Sequence, residues 1–195
     1  MGACGGNGQG GHKGRPLKER TVHHRRSIRL KGYDYSQAGA YFVTICTQDR
    51  ICLFGEVTDD RMRLNGAGEM AVSLWQQLPT RFPDIEIDAF IVMPNHLHGI
   101  IVLPDGGAAV GAPLVGARNV PTLGHIIGAF KSAATVAYVR GVKSNGWPEF
   151  RQRLWLRNYY EHVVRDETAL NRIRQYIDEN PARWAFDDEN PNRTA

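Results

Sequence analysis

The sequence predicts an α+β fold of the ferredoxin-like kind, an antiparallel sheet with helices on its faces and a C-terminal helix that carries a tyrosine. Strand-like and helix-like stretches alternate in the order β-α-β-β-α-β-α, the order of a split βαβ sandwich with one added helix. Two of the strands are separated only by Pro94–Asn95, a connection short enough to make them antiparallel neighbours. The last helical stretch is amphipathic, so it needs a surface to cover.

The elements follow in chain order. Residues 1–14 hold seven glycines and no apolar period, which predicts a disordered start. Ala40–Thr47 is rich in β-branched and aromatic residues and reads as the first strand, with a shorter continuation from Ile51 to Val57. Ala71, Leu74, Trp75 and Leu78 recur at helical spacing and predict one helix closed by Pro79. Ile85–Met93 and His96–Leu103 are the hairpin strands, and the Gly/Ala-rich residues 105–118 read as a surface loop. Thr122 can cap a helix whose apolar face is Ile126, Phe130, Ala133, Ala134 and Ala137, ended by Gly141 and Gly146–Trp147–Pro148. Leu154–Leu156 reads as a short strand. Asp166 can cap a last helix running through Asn180 with Leu170, Ile173 and Ile177 as its buried stripe, stopped by Pro181.

Bulk properties narrow the function classes. With 195 residues, 42% hydrophobic and 23% charged, the chain is sized and composed for one globular domain. It has no apolar run that could span a bilayer and no secretory leader, so a cytoplasmic protein without membrane attachment is expected. Cys4, Cys46 and Cys52 share no metal-ligand spacing and read as reduced thiols. Charge is unevenly spread: residues 1–32 hold eight lysines and arginines against Glu19 alone, leaving the rest of the chain 3 net negative. Such an arm suits phosphate contacts, and it also suits a solvated tail.

Two clusters can carry chemistry. In Met93–Pro94–Asn95–His96–Leu97–His98–Gly99, strand alternation points His96 and His98 to one side and Leu97 to the other. Two imidazoles so placed can share a metal ion, or can be two co-facial core histidines. In the last helix Tyr176 and Asn180 lie one turn apart on a face bordering the apolar stripe. Seated over the histidine side, that face would offer the Asn180 oxygen as a third ligand and the Tyr176 phenol beside it. The competing reading is a boundary aromatic and a helix C-cap before proline.

Taken together, the histidine strand and the Tyr176/Asn180 helix resemble the single-tyrosine HUH nucleases, and more closely the REP-associated tyrosine transposases of the IS200-like family. Arg26–Ser27–Ile28–Arg29–Leu30, Gly32–Tyr33–Asp34–Tyr35, Tyr41–Thr47, Phe54–Gly55–Glu56–Val57 and Arg157–Asn158–Tyr159–Tyr160–Glu161–His162 match that group as well. The resemblance spans roughly residues 26–186, setting apart a basic, Gly-rich tail at 1–25 and a C-terminal tail at 187–195.

The resemblance implies that His96, His98 and Asn180 bind a divalent ion, Mg²⁺ or Mn²⁺, and that Tyr176 is the nucleophile of a strand-transferase acting on single-stranded DNA. Classical members have glutamine where this chain has Asn180, so direct ligation and ligation through a bridging water both stay open. Tyr159 and Tyr160 precede the helix and are expected to pack or to touch DNA. The implied partner is single-stranded or hairpin DNA with REP-like palindromes. Arg25, Arg26, Arg29 and Lys31 would grip phosphates, with Lys131, Arg157 and Arg172 nearer the site. Tyr33, Tyr35, Tyr159 and Trp155 are candidates for base stacking, with core packing the favoured reading for Trp155. Monomer and homodimer are both compatible. The alternatives are a domesticated hairpin-binding protein with little cleavage, and a replication-initiator-type nickase.

Overall fold

In the computed structural model the described residues are 38–104 and 121–193. Their elements are β1 (Gly39–Cys46), β2 (Gly55–Thr58), β3 (Arg61–Leu64), α1 (Gly66–Gln76), α2 (Leu78–Arg81), β4 (Glu86–Val92), β5 (His96–Leu103), α3 (Leu123–Asn145), β6 (Tyr160–Val164) and α4 (Glu167–Glu179). Short 3-10 turns cover Gln48–Arg50 and Pro181–Phe186. The main sheet has the order β4-β5-β1-β6, and each neighbouring pair is antiparallel. That is the ferredoxin-like arrangement.

Departures from expectation are local. The strand expected over Ile51–Val57 begins only at Gly55 and pairs with β3, a partner the periodicity did not reveal. Asn65 caps α1, its side-chain oxygen accepting from the Ala67 and Gly68 amides at 3.0 Å each. The chain breaks helix at Gln77, so Leu78 starts a separate turn with Pro79 just inside it. Leu154–Leu156 makes only a bridge between Trp155 and Thr47, and the fourth strand is Tyr160–Val164. Both later caps are as expected: Thr122 accepts from His125 N at 3.2 Å and Asp166 from Ala169 N at 2.8 Å. Cys46 and Cys52 are both free, while Cys4 lies outside the described residues. No helix of the described residues is long and apolar enough to cross a membrane.

The sheet has two apolar faces because its inner strands are apolar at nearly every position. On one side Tyr41, Val43 and Ile45 of β1 join Leu97, Ile101 and Leu103 of β5, and α1 and α3 cover them with Trp75, Ile126, Phe130 and Ala134. On the other side Phe42, Ile100 and Val164 form a smaller cluster closed by Ile177 of α4, with Leu170 and Ile173 packed against it. A 13-residue helix is marginal alone. Full burial of one isoleucine contributes about 1.5–3 kcal/mol, so this cluster is what holds α4 in place. A second tie comes from Arg174, whose Nε and Nη2 donate to the two carboxylate oxygens of Asp88 at 3.0 and 2.6 Å. Asp88 lies where the β4 register shifts between Ile87 and Phe90.

The registry of β1 and β5 sets the α4 side of the sheet: Phe42 opposes Ile100, Thr44 opposes His98 and Cys46 opposes His96. Gly99 lies between them on the opposite face. A Cβ there would come within 2.5 Å of the buried Trp75 ring, so the missing side chain is what lets the indole pack against the histidine strand. Gly99→Ala should therefore destabilise the fold by about 1–3 kcal/mol. Urea unfolding checks this: the midpoint is expected to fall with the slope unchanged.

Candidate metal and nucleophile site

Four residues named on the sequence come together on the α4 face of the sheet. The His96 and His98 rings are buried, with Nε2 atoms 3.0 Å apart. The Tyr176 hydroxyl lies 3.3 Å from His98 Nε2, and its ring meets that imidazole at a centroid distance of 5.2 Å. Asn180 ends α4 with its side chain buried. Its Nδ2 donates to Asp187 Oδ2 at 3.4 Å, while its Oδ1 is buried with no partner among the described residues. Phe42 backs the group, stacking on His98 at 5.5 Å and meeting the edge of Tyr176 at 6.0 Å.

Three further residues belong to the site. Asp187 follows the 3-10 turn after Pro181, and its carboxylate lies within 4.8 Å of the ligating nitrogens of His96 and His98. Thr44 Oγ1 is 2.8 Å from His98 Nδ1, and Asn95 Oδ1 is 2.9 Å from His96 Nδ1. Thr44 was legible only through the β1–β5 register. Asn95 stood in the motif but read as a turn residue, and Asp187 fell in the stretch set apart as a tail. The chain there returns to the site instead, with Asp187, Asp188 and Glu189 lining a cavity of about 590 Å³ together with Tyr160, Tyr176 and Phe186.

The DNA-contact candidates are dispersed. Arg25, Arg26, Arg29 and Lys31 lie outside the described residues, as do Tyr33 and Tyr35. The structure does not bring Lys131 to the histidines: its ammonium donates to the Leu156 and Asn158 carbonyls at 3.0 and 3.1 Å and sits over the Tyr159 ring. With Arg157 it lines a second cavity of about 460 Å³. Arg172 is exposed one helical turn before Tyr176. Trp155 is buried and stacked on Phe54, which removes it as a base platform. Tyr160, nearly half exposed, lines the site cavity.

Comparisons with known proteins bear on the fold that carries this site. No protein-family model matches the chain. A Haemophilus influenzae protein of uncharacterised function is 39% identical over 177 residues, covering 85% of this chain and 93% of its own length. A second protein of the same organism, named for REP-associated tyrosine transposases, is 24% identical over 156 residues, 78% of this chain and 76% of its own. The chain is thus similar in sequence to a REP-associated tyrosine transposase. Its fold matches the structure of a REP-associated tyrosine transposase bound to a REP hairpin, with a TM-score of 0.53 over 80% of this chain and 74% of that one at 19% identity.

These likenesses give a fold, and the chemistry rests on the site itself. Its donor set is two imidazole nitrogens, the unpartnered Asn180 oxygen and the Asp187 carboxylate. That mixed nitrogen and oxygen set suits a borderline or hard divalent cation. Burial pushes His96 down to about 4, against the smaller opposing pull of Asp187 and Asn180. Burial, helped by the neighbouring His96, also holds His98 well below the ordinary imidazole range. Both rings are thus neutral at pH 7, the state in which imidazole ligates. Burial chiefly, then the nearby Asp187, raises the Tyr176 phenol above its ordinary value.

A stability profile follows. An unfolded imidazole titrates near 6.5 and the folded His96 near 4, so between them the unfolded state holds more protons. The stabilisation is complete above about 6.5 and is lost as pH falls toward 4. In chelator-treated protein the melting temperature should drop across this window, and a His96→Gln, His98→Gln variant should drop less. A wild-type profile that is flat or rises toward pH 4 contradicts the assignment.

Proposed function

We propose that the protein is a divalent-metal-dependent transposase that cleaves and rejoins single-stranded DNA through Tyr176. One observation carries the proposal: within a single chain, the Tyr176 hydroxyl lies 3.3 Å from a histidine whose Nε2 is 3.0 Å from that of a second histidine. A purely hairpin-binding relative would have no use for a phenol set against buried, neutral imidazoles. Tyr160, the other tyrosine at the cavity, lies off the helix and makes an edge contact with Phe42.

The chain's own groups divide the work. His96 and His98, with Asp187 and Asn180 as oxygen donors, would hold the cation, Mg²⁺ or Mn²⁺. Bound there, it would supply positive charge to offset the developing charge on the scissile phosphate. The site's own acids, Asp187, Asp188 and Glu189, would otherwise repel a phosphate and hold the phenol protonated. Tyr176 is 37% exposed, so water can take its proton as it attacks. The phenolic oxygen forms a bond to the 5′ phosphorus while the bond to the 3′ oxygen breaks, and that oxygen leaves protonated as a 3′-OH. The phosphodiester is conserved as a phosphotyrosine, so a 3′-OH can reverse the step and join strands.

Hairpin DNA with REP-like palindromes is the proposed substrate, since a protein of similar fold was solved bound to a REP hairpin. The N-terminal arginines and lysine, with Arg157 and Arg172, are proposed phosphate contacts. Residues 26–186 are proposed as the transposase domain, with residues 187–189 completing its site. Because one chain supplies both the phenol and the histidines, the proposal needs no exchange of tyrosine helices between subunits.

The test is incubation of labelled single-stranded hairpin DNA with the protein and Mn²⁺. A denaturation-resistant adduct is expected for wild type and none for Tyr176→Phe, with hairpin binding retained. His96→Ala or His98→Ala should cut adduct formation by about 10²–10³. Binding without any adduct would contradict the proposal in favour of a hairpin-binding protein, and an adduct with Tyr176→Phe would move the nucleophile elsewhere.

A further inference from the structure

Asn95 looks at first like a turn former between β4 and β5, and the backbone says otherwise. It is absent from the residues with positive φ, so the turn does not require an asparagine. Its side chain is fully buried. Nδ2 donates to the Arg50 carbonyl at 2.9 Å and to the Glu189 carbonyl at 2.7 Å, while Oδ1 is 2.9 Å from His96 Nδ1. Leaving such a buried group unpaired would cost about 1–3 kcal/mol.

The two carbonyls settle the orientation of the amide. A carbonyl only accepts, so the nitrogen must face Arg50 and Glu189, and the oxygen must face the imidazole. An oxygen that can only accept then requires a proton on His96 Nδ1. The lone pair of His96 is thereby confined to Nε2, the atom facing His98. His98 is held differently. Its Nδ1 meets the Thr44 hydroxyl, which can donate or accept, so either tautomer of His98 keeps its partner. The 3.0 Å approach of the two Nε2 atoms then needs the shared proton to come from His98.

We propose that Asn95 is a positioning residue for the metal site: it locks His96 as the Nδ1–H tautomer with its ligating nitrogen turned inward, and its other end pins the Asp187–Glu189 segment beside the histidines. The pair is asymmetric, one fixed ligand and one that can move its proton. Arg50 supports the same tie, its Nε lying 3.0 Å from the Glu189 carboxylate. Leucine would strand the His96 N–H, and aspartate would set a charge against two carbonyls. The role assigned to Asn95 rests on the metal-site reading above, and partners that orient a ligating histidine typically change metal affinity about 10–100-fold when removed.

The experiment is long-range ¹H–¹⁵N spectroscopy of metal-free protein with ¹⁵N-labelled histidine, joined to Mn²⁺ titration by calorimetry. In wild type the His96 signals should report protonation on Nδ1 and a bare Nε2, and the opposite tautomer overturns the proposal without any variant. Asn95→Leu should lose that single tautomer and bind Mn²⁺ at least about tenfold more weakly. A folded variant with tautomer and affinity unchanged also overturns it. If Asn95→Leu does not fold, the wild-type spectrum decides. Should wild type show the expected tautomer and yet bind no Mn²⁺, the metal reading fails, while the orientation of His96 by Asn95 stands.

Discussion

The arrangement depends on a small apolar contact: Ile177, with Leu170 and Ile173, seated on Phe42, Ile100 and Val164. Everything polar at the site is carried past this seat. Tyr176 precedes Ile177 directly and Asn180 follows it by three residues, so the helical repeat that buries the isoleucine also sets where phenol and amide emerge. Phe42 serves both purposes, packing in the cluster while backing His98 and Tyr176. The Arg174–Asp88 pair adds direction to the seat, tying the helix to the far edge of the sheet. Packing specifies position here, and chemistry follows from position.

Electrostatics is the basis on which a cation is proposed for the site. Two imidazoles kept neutral by burial, an unpartnered amide oxygen and a nearby carboxylate are all electron donors facing one small space. Around them the cavity wall carries Asp187, Asp188 and Glu189, with Arg183 tied to Glu179 on the preceding turn of α4. On the proposed reading, a cation in this space would offset the repulsion between these acids and a phosphodiester. Outside the donor set, the Thr44 hydroxyl and the Asn95 amide meet the outer nitrogens of the two rings and hold them in place before any ligand arrives.

Much of this was legible in the sequence because it follows short periods. Alternation along the β5 strand placed His96 and His98 together, and the helical repeat placed Tyr176 one turn from Asn180. Asp166 and Thr122 were readable as caps because capping is a local side-chain to backbone bond. What escaped was set by tertiary pairing. The β2–β3 hairpin escaped because its strands are only four residues each, too short a run for the alternation of Arg61–Leu64 to stand out. The fourth strand was misplaced to Leu154–Leu156 because that apolar run is buried against the core as an irregular segment, whereas β6 presents Glu161 and His162 amid its apolar residues. Asp187 joins the site, and Asn95 finds its second partner, only through the return of the C-terminal segment, a long-range event that leaves no periodic trace. Lys131, by contrast, reaches the Leu156 and Asn158 carbonyls through a long-range contact that its position in the sequence did not reveal.

The claim at the centre is that a cation on the paired imidazoles stands beside the phenol of the same chain. Electron spin-echo spectroscopy of one equivalent of Mn²⁺ bound to wild-type protein, with ¹⁵N-histidine and ring-deuterated tyrosine, reads both halves at once. Coupling to two histidine nitrogens and to the tyrosine ring, with the ring coupling lost in Tyr176→Phe, is the predicted result. A bound Mn²⁺ with no histidine coupling, or with two histidines and no tyrosine ring nearby, would contradict it.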